Sequence, residues 1–174
     1  TLVRAAEISE HPRLFYWQEI LANHSDANFT NRSDYLNSAL QRGNLTDAKD
    51  WYDKVSSNIE EKEQIFFQCL ILAKQGDEAQ FEAYQLADNF LQKNPYSSPI
   101  CEFLWDFCLQ SNQNYLFEKA VKELKNASKL PSPISFEALR RLLSLETGTP
   151  EERKEWAQRL WQINSPSLHD AVLC

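Results

Sequence analysis

The chain has 174 residues, is 43% hydrophobic and 12% aromatic, and carries 25 acidic against 18 basic side chains for a net charge of −7. That apolar share excludes a disordered chain, and the length holds one ordinary domain or four to five helical pairs. The acidic balance argues against duplex nucleic acid as the main ligand, because phosphate contacts need a basic face, and no apolar run is long enough to span a membrane. The first residues read as neither a signal peptide nor a basic, acid-poor transit segment, and a removed targeting segment is compatible with this. It begins at Thr1 and contains no Met, which leads us to expect a piece or processed product of a longer polypeptide.

The elements follow in chain order. Pro12 suits the first turn of a helix over 13–21, with Leu14, Tyr16, Trp17, Ile20 and Leu21 apolar. The polar stretch 23–32 reads as a loop, after which Asn31 or Ser33 caps a helix running through Arg42. Gly43-Asn44 turns the chain, and Thr46 caps a helix over 47–56 whose stripe is Ala48, Trp51, Tyr52 and Val55. A helix over 60–75 and another over 78–93 flank the turn Gln75-Gly76-Asp77, and Asn94-Pro95 stops the second. Helices over 100–110 and 115–128 are separated by Ser111-Asn112-Gln113-Asn114. Helices over 136–146 and 151–163 are separated by Thr147-Gly148-Thr149-Pro150, with Thr149 as cap and Pro150 in first position. After Pro166, Ser167 caps a short last helix over 168–173, of the kind that covers the open end of a stack. No stretch reads as a strand.

The punctuation recurs. Pro95, Pro131 and Pro166 are 36 and 35 residues apart; Gly43 and Gly76 are 33 apart; Gly76 and Gly148 are 72 apart with Asn112 midway. A period near 35 with one turn glycine and one terminal proline describes a repeated pair of helices. The run Ala39-Leu40-Gln41-Arg42-Gly43-Asn44-Leu45-Thr46-Asp47-Ala48, followed by Tyr52 and Val55, resembles the tetratricopeptide repeat (TPR). In that family a small residue opens the second helix, an aromatic follows four later, and a small residue three after that. Ala48 and Tyr52 fit, and Val55 is larger than usual. Ala83, Ala87 and Pro95 continue the pattern with two residues inserted; Ala120, Ala127 and Pro131 follow with a longer turn; Gly148, Ala157 and Pro166 close it. The Trp-Leu-Gly signature of the first helix is missing from every unit. The resemblance covers about residues 31–174, with 1–30 as an N-terminal helix and loop of one continuous domain. It implies an all-α fold: a right-handed α-α superhelix of about four helix pairs plus flanking helices.

Little points to catalysis. His11, His24 and His169 are far apart and have no ligand-spaced neighbour, and no phosphate loop, HExxH or nucleophile elbow is found. The pairs Glu60-Glu61 and Glu151-Glu152 fall at helix starts, where acids favour the dipole. Cys69, Cys101, Cys108 and Cys174 form no CxxC and read as reduced core thiols. Five of twelve asparagines, Asn23, Asn28, Asn31, Asn44 and Asn126, open Asn-x-Ser/Thr sequons, where chance gives about one and a half. They are cap and turn residues, or they mark a glycosylated, lumenal chain. Trp156 and Trp161, five apart, do not share one narrow face; they read as core or inter-repeat packing, with a binding hot spot as the alternative and at least one of them exposed or covering the next pair.

In the tetratricopeptide family the first helix of each pair lines a concave groove. By phase from the turns, the resemblance assigns Asn37 and Gln41; Phe66, Leu70 and Lys74; Glu102, Asp106 and Gln110; and Ala138, Leu142 and Leu145. The basic clamp that holds acidic chaperone tails is missing. Glu102 and Asp106, one turn apart, form an ordinary wet face, or they stay solvated in an open groove until a basic partner arrives. The resemblance thus implies a non-catalytic protein–protein interaction scaffold without cofactor or metal. Its partner is a protein or peptide with apolar anchors, with no nucleic acid and no membrane insertion. The alternatives are an accessory domain of a larger enzyme and a self-associating assembly module that forms homo-oligomers.

Overall fold

A computed structural model describes residues 13–131 and 133–163, and every regular element in them is helical. The α-helices are α1 (Leu14–Ala22), α2 (Phe29–Gln41), α3 (Leu45–Val55), α4 (Glu61–Leu72) and α5 (Asp77–Lys93), followed by α6 (Ser98–Gln110), α7 (Asn114–Ala127), α8 (Ile134–Ser144) and α9 (Pro150–Ile163). A 3-10 turn over Ser56–Asn58 follows α3. No strand occurs among the described residues. The expected last helix over 168–173, together with His11, His169, Pro166 and Cys174, lies outside them.

Several helix starts fall ahead of the expectation, α6 at Ser98 and α8 at Ile134 among them, and two others show why. α2 begins at Phe29, not after Asn31 or Ser33. Asn28 stands just before it in extended conformation, its side chain accepting from the Asn31 N–H at 3.0 Å, while Asn31 Oδ1 accepts from the Asn28 N–H at 3.2 Å. This reciprocal cap satisfies two otherwise orphaned donors. The early start also lets Phe29 reach Phe66 and Phe67, at ring-centroid distances of 5.4 and 5.8 Å. α3 begins at Leu45, ahead of the expected Thr46 cap, and Leu45 packs on the core. At α9 the expectation holds. Pro150 is its first residue, the Thr149 hydroxyl accepts from the Glu152 N–H at 3.2 Å, and Glu152 accepts from the Thr149 N–H at 2.9 Å.

The chain divides into two compact units, Thr1–Phe90 and Leu91–Cys174. In the first, α1 packs on α2, α2 on both α3 and α4, and α3 on α4. Their core holds Tyr35, Leu36, Ala39, Ala48, Trp51, Phe67 and Ile71. Rings run through it in sequence: Phe15 to Tyr35 at 5.3 Å, Tyr35 to Trp51 at 5.3 Å, Trp51 to Phe67 at 5.8 Å. Each such pair contributes about 0.5–1.5 kcal/mol beyond area burial. Ala48 is 0% exposed, as a small residue at a close helix approach must be.

In the second unit α6 packs on α7, α7 on α8 and α8 on α9. One apolar cluster runs through all four, from Cys101 and Trp105 through Leu124 and Ala127 to Leu139, Leu142, Trp156 and Leu160. Trp156 packs in this core at 6% exposure, and Trp161 stands outside it at 59%. Cys69 in the first unit and Cys101 and Cys108 in the second are buried thiols outside any disulfide. Burial pushes the Cys69 thiol pKa up to about 12, and burial with nearby Glu123 and Glu102 does the same at Cys101.

Candidate functional site

On the pairing expected from the sequence, the first helices are α2 and α4 in the first unit and α6 and α8 in the second. A charged bridge ties each couple. Arg32 on α2 donates from Nη1 to Glu63 Oε2 on α4 at 2.9 Å, with both side chains largely buried. Arg141 on α8 holds Asp106 on α6 bidentately, Nε to Oδ1 at 2.9 Å and Nη2 to Oδ2 at 3.0 Å. Its Nη2 also reaches Glu102 at 3.5 Å, and its Nη1 reaches Glu137 at 3.1 Å. The guanidinium lies 5.8 Å from the Trp105 ring centroid. Burial opposes the charge on Arg141. The hydrogen bonds and charge of Asp106, reinforced by Glu102 and Glu137, outweigh it and hold the pKa above its ordinary value.

This corrects the expectation that Glu102 and Asp106 wait for an outside cation. The base comes from the same chain, 35 residues after Asp106. Planar, bidentate geometry suits arginine for the task. Asp106 still keeps 48% of its side chain exposed, against 18% for Arg141. Glu102 also accepts from the Ser98 hydroxyl at 2.8 Å.

The remaining assigned residues fall into two groups. Gln41, Lys74 and Gln110 are exposed, and Asn37 is half-buried with its amide donating to Ser33 Oγ at 3.3 Å. Phe66 and Leu70 pack against the first core, so their apolar surface is largely used within the fold. Ala138 and Leu142 are fully buried, which corrects their placement on an open face. α8 lies between α7 and α9, and its 138/139/142/143 stripe fills that contact. Leu145 is half-buried beside the same cluster.

The residues that sequence reasoning missed are Arg32, Glu63 and Arg141. Glu63 sits in an acid-rich helix start and resembles its neighbours there; the available signal was an opposite charge about one repeat away on another first helix. Five large aromatics also stand in solvent: Tyr16, Phe81, Tyr96, Tyr115 and Trp161. Among the described residues no group of three or more His, Cys, Asp or Glu side chains could hold a metal ion, and no helix is long and apolar enough to cross a membrane. Comparison of the chain with protein-family models, with curated proteins and with solved structures gave no match.

Proposed function

We propose that the chain is a non-catalytic protein-interaction scaffold of TPR-like helix pairs, binding a peptide or partner protein along the outer faces of its first helices. The observation behind this reading is that alternate helices within each unit are tied by a charged bridge, Arg32–Glu63 in the first and Arg141–Asp106 in the second. Such bridging turns separate helix faces into a continuous surface, which is how paired-helix arrays present a partner site. The contact residues we assign are Asn37, Gln41 and Lys74 in the first unit and Glu102, Asp106 and Gln110 in the second. Phe66 and Leu70 contribute only the edge they leave uncovered. Because Arg141 already engages the acids, a basic partner group would add to the half-exposed Asp106 and would not displace the bridge.

The test uses the full chain as bait, with retained proteins identified and the interaction then rebuilt from purified components. Gln41→Arg, Lys74→Glu and Gln110→Arg change exposed positions and should leave melting unaltered. Loss of affinity of about tenfold or more in any of them supports the assigned face. Wild-type binding by all three would remove the partner from this face.

A further inference from the structure

One face of α7 gathers lysines over an apolar floor. Phe117, Val121, Lys122, Lys125 and Lys129 fall on one side of the helix and, with Thr147 from the α8–α9 loop, line a surface cavity of about 450 Å³. That volume is in the range of ligand-binding clefts. From Phe117 to Lys129 the stripe is about 18 Å long at 1.5 Å rise per residue, the span of about five extended residues. It lies on the second helix of its pair and does not depend on the first-helix reading above.

Three observations separate this face from an ordinary solvated lysine stripe. Its floor is apolar, built from the half-buried Phe117 and Val121. Its central amine is fixed: Lys125 Nζ bonds Glu152 Oε1 at 2.8 Å and sits 5.5 Å from the Trp156 ring centroid. At its wall the Thr147 hydroxyl oxygen is shielded from solvent with no hydrogen-bond partner among the described residues. A shielded polar atom without a partner calls for an explanation. Lys122 and Lys129 are exposed and form no ion pair among the described residues. Glu118, one turn before Lys122, is the carboxylate in the lining, and Glu152 is the counter-ion of Lys125.

We infer that this groove docks a short acidic peptide segment bearing one apolar anchor. The anchor rests on Phe117 and Val121, the carboxylates meet Lys122 and Lys129, and Thr147 closes one wall. Charge complementarity selects acid over base, and the apolar floor selects an anchored segment over a bare anion. The unit around the groove is neutral, with ten acidic and ten basic side chains over Leu91–Cys174, which favours a short ligand. A long polyanion would run off this patch onto neutral surface and gain nothing further there.

The test is fluorescence anisotropy with the full chain and a labelled hexapeptide of five glutamates around one leucine. Comparators are hexaglutamate, the same peptide with lysines for glutamates, and a twenty-residue oligothymidylate. We expect saturable binding of the anchored acidic peptide, weakening severalfold as salt rises from about 50 to about 200 mM. We expect about tenfold loss for Lys122→Glu with Lys129→Glu and severalfold loss for Val121→Ser. Four outcomes overturn the inference: no saturation by about 1 mM, unchanged affinity in the double variant, hexaglutamate binding equally well, or tighter binding of the lysine peptide or oligothymidylate. Lys122→Gln with Lys129→Gln supplies the same readout should the double glutamate variant fail to fold. Gln41→Arg, Lys74→Glu and Gln110→Arg should bind this probe as wild type does, which keeps this groove and the first-helix face separately testable.

Discussion

Replacing Gly148 by alanine isolates one steric contact in the second unit. Gly148 has φ +84°, a conformation an L side chain enters at a cost of about 1–2 kcal/mol. A Cβ there would stand 2.6 Å from Trp156 Cη2 and 3.1 Å from its Cζ3, and 2.8 Å from Glu152 Oε2. The carboxylate can swing aside only by giving up its bond to the Thr149 N–H. The indole is buried in the unit's core and has nowhere to go, so overpacking adds about 1–3 kcal/mol. Gly43 is the control. Its φ is +77°, but a Cβ there meets nothing within 4 Å, so Gly43→Ala pays the backbone cost alone. Urea titrations of both variants should therefore differ by about 1–3 kcal/mol, with Gly148→Ala the weaker. Adding Trp156→Phe removes the atoms in the way, so Gly148→Ala should cost less in that background. Equal destabilisation at the two glycines, or no coupling to Trp156, would refute the steric argument.

Three other outcomes are expected. Ala48→Trp forces an indole into a site with 0% exposure and should destabilise the first unit by about 1–3 kcal/mol, seen as a lower melting temperature. A wild-type melt would mean that the α2–α3 approach is not close there. Arg141→Leu removes the cation that Glu102 and Asp106 share, while Glu137 keeps Arg140 at 4.0 Å. Because those acids are partly exposed, the loss at neutral pH is about 1–2 kcal/mol, and it should shrink once the carboxylates are protonated. A loss independent of pH would point to packing instead. The hydrogen bond from Lys125, then that from the Thr149 N–H, holds the Glu152 pKa below the ordinary value of 4.5. The stability it supplies is complete above that value and is lost as pH falls through the lower folded one. Glu152→Gln should accordingly flatten the acid limb of a stability–pH curve, and an unchanged limb would contradict the assignment.

Turn chemistry and apolar period carried most of the helices into view. Gly43, Gly76 and Gly148 all take positive φ at the turns where the period placed them, and Thr149-Pro150 starts α9 as its residue types require. Local ambiguity defeated the start of α2, because Asn28 and Asn31 are equally good turn residues and their reciprocal cap shows only once Phe29 has a core to enter. The bridges were illegible for a different reason. Arg141 and Asp106 meet only after the intervening α7 has packed, and no local pattern encodes that approach. The α7 groove likewise needs Thr147 brought beside it by the fold; on the helix alone, Lys122, Lys125 and Lys129 read as a wet face. The assignment of Ala138 and Leu142 to an open surface failed because phase from a turn names a helix face without saying what covers it.

The buried thiols give each unit its own clock. An alkylating reagent attacks thiolate, and a thiol held near pKa 12 and shut away from water offers it almost none until the surrounding helices part. Cys69 is sealed in one unit, and Cys101 and Cys108 in the other. Timed labelling followed by peptide mass spectrometry can thus read two opening rates from one sample, with no probe introduced, and show whether binding at either surface slows the unit that carries it.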